Sequence, residues 1–138
     1  KAYDGIREIM DTQKKEGGLI CVVSHSYSEY ILRDYAANGL PVPDLIYGWD
    51  LAPELRKPAP YAIWDLMQKL SLSREEVLVI DDLKPGYDMA LSAGVPFAAA
   101  GWANDVPEIE QFMRTNSPLY FKKVADLAGH LSGSPEVH

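Results

Sequence analysis

The 138 residues fit one compact domain, and a share of 47% apolar with 24% charged residues is far from a disordered or collagen-like chain. A formal net charge of −7 repels a nucleic-acid backbone or an anionic membrane surface, so neither is an expected partner. No apolar run nears the roughly 20 residues that cross a bilayer, so the protein is expected to be soluble.

In chain order, Tyr3, Ile6, Ile9 and Met10 fall at helical spacing, and the segment from Lys1 to Lys15 reads as an amphipathic helix and not a signal peptide. The first residue is Lys and not Met, which suggests that something upstream has been removed. Gly17 and Gly18 close this helix before the run from Leu19 to Val23, short and unbroken as a strand buried on both faces should be. Cys21, the only cysteine, lies within that run, which excludes an intrachain disulfide and a cysteine zinc site. A buried, inert thiol suits a reducing compartment, and a cytoplasmic protein is expected.

Ser26 with Glu29 predicts a capping box opening a helix through Tyr30, Ile31 and Tyr35, ended by Asn38 and Gly39. Leu45 to Tyr47 is a second strand. A proline-marked turn over Lys57 to Pro60 leads into a helix from Tyr61 to Leu70, and Ser73 with Glu76 forms a second capping-box pattern. Val77 to Ile80 is the third strand, Asp81 to Pro85 a loop and Gly86 to Ala93 a helix stopped by Gly94. A fourth strand runs from Val95 to Ala100, with Gly101 and Trp102 turning out of it. A helix over Asp105 to Arg114, an edge strand over Leu119 to Phe121 and a helix over Val124 to Leu131 complete a domain of residues 1–131. Residues 132–138 read as a flexible tail.

Strands alternating with helices predict an α/β fold, a mainly parallel sheet covered on both faces, and such sheets bind ligands beyond the carboxyl ends of their strands. Polar groups stand at those ends: Ser24 after the first strand, Asp81 and Asp82 after the third, and Lys57 in a loop entering the next helix. Adjacent carboxylates repel each other, and a hard divalent cation relieves that repulsion. A hydroxyl and an ammonium beside them suit a phosphoryl group, whose transfer is mostly positioning and charge stabilisation. Taken singly, each residue is also compatible with a bland role: a helix cap, a loop residue, a solvated lysine. Trp49, Asp50 and Trp102 also follow strands, where aromatic residues more often pack against the loop than bind substrate.

The runs Val22-Val23-Ser24-His25-Ser26, Arg56-Lys57-Pro58-Ala59-Pro60 and Val77 to Gly86, with Ala93-Gly94 downstream, resemble motifs II, III and IV of the haloacid dehalogenase superfamily. The acidic pair is similar to that of phosphoglycolate phosphatase-like members. The resemblance implies a Rossmann-like, three-layer α/β/α core. It also implies that Ser24 hydrogen-bonds a phosphoryl oxygen, that Lys57 neutralises the phosphoryl group, and that Asp81 and Asp82 hold Mg²⁺. His25 would stand on the substrate side, and the substrate would be a small phosphorylated metabolite.

One departure matters. Members of that family carry an Asp-x-Asp motif on a central strand, its first Asp the nucleophile, and no Asp-x-Asp occurs in these 138 residues. Asp4 and Asp11 lie in the first helix, so no nucleophile is assigned. The resemblance places the missing strand between the strand ending at Ser24 and the one ending at Asp81. Three outcomes are expected there: direct pairing of the two strands, filling by a complementing amino-terminal segment or another copy, or a strand that belongs to the protein but not to this chain. The expected function is a Mg²⁺-dependent phosphatase acting through an aspartyl-phosphate, inactive as this chain alone. The alternatives are a non-catalytic scaffold and a receiver-type signalling domain. The latter is disfavoured because Ser24 and Lys57 precede the acidic pair.

Overall fold

A computed structural model describes residues 2–132; the expected start at Lys1 and most of the expected tail lie outside the described residues. Six α-helices and five short strands alternate: α1 (Ile6–Lys15), β1 (Cys21–Val23), α2 (Ser28–Ala37), β2 (Leu45–Tyr47), α3 (Tyr61–Leu70), β3 (Val79–Asp81), α4 (Lys84–Ala93), β4 (Phe97–Ala100), α5 (Pro107–Asn116), β5 (Leu119–Phe121) and α6 (Val124–Leu131). All pairings are parallel, giving an α/β fold.

The strands form two sheets and not one, which corrects the expectation of a single sheet. β1 pairs with β2, and β3, β4 and β5 pair in that order. Residues of both sheets pack into one core cluster that includes Ile63 and Leu66 of α3. Direct pairing of β1 with β3 is not realised. The facing edges of the two strands line a groove of ≈ 660 Å³, with Ile20, Cys21 and Val23 on one wall and Val79, Ile80 and Asp81 on the other. Ile80 is 39% exposed, whereas its neighbour Val79 is 8% exposed, because one side of β3 opens onto this groove.

β4 feeds two cores by strand alternation. Phe97 and Ala99 pack with Ile63 and Leu66 of α3, Met89 of α4 and Met113 of α5. Ala98 packs with Leu127 of α6 and Ile9 of α1. Helices thus cover both faces of the sheet.

Several boundaries differ from expectation for local reasons. α2 starts at Ser28 with no side-chain cap from its own flank, so Ser26 and Glu29 form no capping box. The Ser24 hydroxyl accepts the Ser26 amide instead, and Asp50, from the loop after β2, accepts both the Ser28 amide and its hydroxyl. The Ser73 and Glu76 box does form, but on a single 3₁₀ turn. Val77 and Leu78 precede the ladder, whose first bond runs from the Val79 amide to the Pro96 carbonyl. α4 begins two residues early, because Pro85 in a first turn lacks only an N–H that would be unpaired there anyway. Cys21 is half-buried, and burial, followed by the nearby Asp44 charge, raises its pKa, which favours the unreactive thiol.

Candidate active site

β1 and β3 both end at the same side of the groove, which brings their loops close to the loop bearing Lys57. The Lys57 Nζ lies 2.8 Å from Asp81 Oδ2, with the two side chains only 13% and 15% exposed. An ion pair this sheltered is weakly screened. The other Asp81 oxygen, Oδ1, accepts the backbone amides of Asp82 at 2.7 Å and Leu83 at 3.3 Å. Gly86, on the first turn of α4, lets this carboxylate approach: a Cβ there would overlap Asp81.

Asp82 is the less committed acid. Burial first, and then the Asp81 carboxyl beside it, push its pKa up, while its own backbone amide and the Asn104 side chain act in the opposite direction. Two adjacent acids, one paired with a lysine, offer hard oxygen ligands to a cation, which would relieve the repulsion between them.

His25 is turned toward the lysine loop: its Nε2 is 3.1 Å from the Lys57 carbonyl oxygen. Its ring meets Trp49 edge-on at 5.5 Å. The Arg56 guanidinium stacks on the other ring system at 3.4 Å from the Trp49 centroid and donates to the carbonyls of Leu51 and Trp49. Trp49 thus packs within its loop, and its amide donates to the Ser26 carbonyl. Across the loop, His25 meets the Lys57 main chain, while Arg56, next in sequence, ties the same loop to Trp49 and Leu51. Ser24, directly after β1, has its hydroxyl engaged by the Ser26 amide at 3.0 Å.

Of the residues singled out in the sequence, Lys57 and Asp81 are in direct contact, His25 reaches the Lys57 main chain, and Asp82 adjoins Asp81. Sequence reasoning missed Asn104 beside Asp82 and the Arg56–Trp49 stack. Arg56 was within reach of inspection, being adjacent to Lys57, but Asn104 carries no local signal. Among the described residues, no three His, Cys, Asp or Glu side chains cluster so as to hold a metal ion by themselves.

The structure is thus a parallel α/β fold with a lysine–carboxylate pair and a second acid at the strand ends. The chain belongs to the haloacid dehalogenase-like hydrolase family, whose sequence model matches residues 1–100. That assignment leaves the receiver-domain alternative without support. No curated protein matches the sequence. Among solved structures it is similar to a predicted phosphoglycolate phosphatase from Haemophilus somnus, with TM-score 0.76 and 18% identity over 95% of this chain and 57% of that one. It is also similar to a HAD-superfamily hydrolase from Ehrlichia chaffeensis, with TM-score 0.73 and 21% identity over 94% and 57%. A phosphonoacetaldehyde hydrolase-like protein from Oleispira antarctica gives TM-score 0.76 and 16% identity over 96% and 56%. The chain therefore spans little more than half the length of these structures.

Proposed function

We propose that this chain supplies the phosphate-clamping and cation-holding half of a Mg²⁺-dependent phosphohydrolase of small phosphorylated metabolites. The reaction would run through an aspartyl-phosphate whose carboxylate lies on a strand that these 138 residues do not contain. The observation that carries the reading is the sheltered Lys57–Asp81 pair at the end of a groove flanked by two unpaired strand edges. In this reading the core is a three-layer α/β/α sheet whose first central strand, bearing Asp-x-Asp, lies in the groove between β1 and β3. Names given to similar structures, phosphoglycolate phosphatase among them, are in keeping with this substrate class.

The donor set suits magnesium as far as it goes. Asp81 and Asp82 offer hard oxygen ligands, and Mg²⁺ ordinarily keeps several waters and takes only one or two protein carboxylates. When bound, the ion would neutralise charge developing on the phosphoryl oxygens. Lys57 would attract and orient the same oxygens, and it is already fixed in place by Asp81 and by the His25 contact to its carbonyl. Ser24 would donate its hydroxyl to a phosphoryl oxygen while accepting the Ser26 amide. Without the covalent nucleophile the two-step route is closed, whatever stabilisation the remaining groups supply.

The test is hydrolysis of p-nitrophenyl phosphate with Mg²⁺, by the chain alone and with an added segment of apolar strand ending in Asp-x-Asp. No turnover alone and clear turnover with the segment are expected; turnover by the chain alone overturns the assignment of roles. A second reading, a non-catalytic scaffold of the same family, is favoured by one feature: both Asp81 oxygens are already occupied, by Lys57 and by backbone amides. A melting temperature that does not move on adding Mg²⁺ with phosphate supports the scaffold over the enzyme.

A further inference from the structure

On the same face of the sheet as Asp81 lies a polar group that nothing so far explains. The Tyr120 hydroxyl oxygen is buried and has no hydrogen-bond partner. Buried hydroxyls are rarely left so in native proteins. Its position follows from strand register. Asp81 pairs with Ala99, and Ala99 with Tyr120, so the three side chains share one face of the sheet with only a methyl group between acid and phenol. The phenol extends along the sheet to Gly101, where a Cβ would come within 2.6 Å of the hydroxyl oxygen. Glycine at this position therefore admits the hydroxyl. The Arg114 guanidinium, 4.2 Å from the ring centroid, covers the ring.

Tyr120 lines a cavity of ≈ 10 Å³ together with Asp82, Asn104 and Glu110, among others. About 10 Å³ is the least that admits one water molecule, which also needs two to four polar partners. Glu110 is already engaged by Arg114 at 2.9 Å and Lys122 at 3.5 Å. Asn104 accepts the Val106 amide through Oδ1 at 3.0 Å and its side-chain N–H acts on the Asp82 carboxylate, which leaves the second N–H as a donor.

We propose that one ordered water occupies this cavity, accepting the Tyr120 O–H and an Asn104 N–H and donating to the Asp82 carboxylate, so that Tyr120 is a positioning residue for the acidic pair. Tyr120 and Asn104 lie outside all three sequence motifs. Such outer partners orient ligating carboxylates without touching the ligand. Any effect on cation holding rests on the function proposed above; the water and its contact with Asp82 do not.

The test uses the 138-residue chain without metal. Water-to-protein cross-relaxation in NMR should show a long-lived water near the Tyr120 hydroxyl proton and the Asn104 side-chain amide. Tyr120→Phe should abolish those cross-peaks, lower the melting temperature and move the Asp82 carboxyl ¹³C resonance. A hydroxyl that truly lacks a partner predicts the opposite: no cross-peak, and a melting temperature unchanged or raised when the orphan group is removed. That result overturns the proposal, as does an unmoved Asp82 resonance, which would make Tyr120 structural only. Should Tyr120→Phe fail to fold, Asn104→Ala leaves the aromatic packing intact and must produce the same loss of water contact and the same ¹³C change. In a separate arm, Mg²⁺ affinity by calorimetry is expected to fall about tenfold in Tyr120→Phe. Absence of Mg²⁺ binding by the native chain would count against the proposed enzyme function and leave the metal-free readings to decide the water.

Discussion

Replacing Lys57 with Met removes the ammonium but keeps an unbranched apolar stem, so the change isolates the charge pair. Asp81, 15% exposed, would then hold a carboxylate with no countercharge at 2.8 Å, although its Oδ1 keeps the backbone amides of Asp82 and Leu83. Breaking a fully buried pair from one side costs about 3–5 kcal/mol, and exposed pairs are worth about 0.2–1 kcal/mol. The residual exposure and the surviving amide bonds place the expected loss between these limits, at about 2–3 kcal/mol. With a urea slope of about 2 kcal/mol/M, the unfolding midpoint should fall by about 1 M. Asp81→Asn should also destabilise, because it strands the Lys57 ammonium. The double variant should be no less stable than Lys57→Met alone, since neither charge is then left unpaired. Equilibrium urea unfolding followed by far-UV circular dichroism at constant pH measures all four chains. If both single variants stay within about 0.5 kcal/mol of the parent, the pair is screened by solvent and the sheltered-clamp argument fails.

Gly86→Ala gains about 1 kcal/mol of helix propensity but forces a Cβ into the Asp81 carboxylate; overpacking of about 1–3 kcal/mol should win, giving a net loss of stability by thermal unfolding. The Asp50 carboxylate, which accepts its own backbone amide and then the Ser28 hydroxyl and amide, has its pKa held below the usual carboxylate range. Its contribution to stability is therefore present above the unfolded-state pKa and lost as pH falls through the lower folded value. Asp50→Asn should flatten the acid limb of the melting temperature against pH, and an unchanged limb contradicts the cross-loop cap. The apolar walls of the ≈ 660 Å³ groove should bind 1-anilinonaphthalene-8-sulfonate in the native chain, with loss of fluorescence when an apolar strand peptide is added. A native chain that does not enhance the dye's emission speaks against an open groove.

The parts of this molecule that sequence made legible are those governed by neighbours in the chain. β2 and β5 coincide with their expected bounds because each is an apolar triplet between turn signals. Lys57 and Asp81 could be singled out because loops following strands in a parallel sheet are where ligands bind. The failures at α2, Asn104 and Tyr120 share one cause, which is that the deciding partner is remote. α2 takes its cap from Asp50, 22 residues beyond Ser28, so the local Ser26 and Glu29 pattern had a competitor invisible to spacing. Tyr120 shares a sheet face with Asp81 only through ladder register across β3, β4 and β5, and Asn104 comes beside Asp82 from the turn after β4, neither of which periodicity within one strand encodes. The groove stands between these cases. The gap between β1 and β3 was expected to be closed by pairing or filled by another segment, and it is open instead, lined by residues of both strands and by Ile63 and Leu66 of α3. A close-packed core resists collapse of such a gap when the side chains around it already sit against one another. On the open edge Ile80 stays exposed in the middle of β3. Ile80, exposed between buried Val79 and half-buried Asp81, lies directly beside the acid that Lys57 holds, so in the proposed reading the strand bearing the nucleophile would cover it.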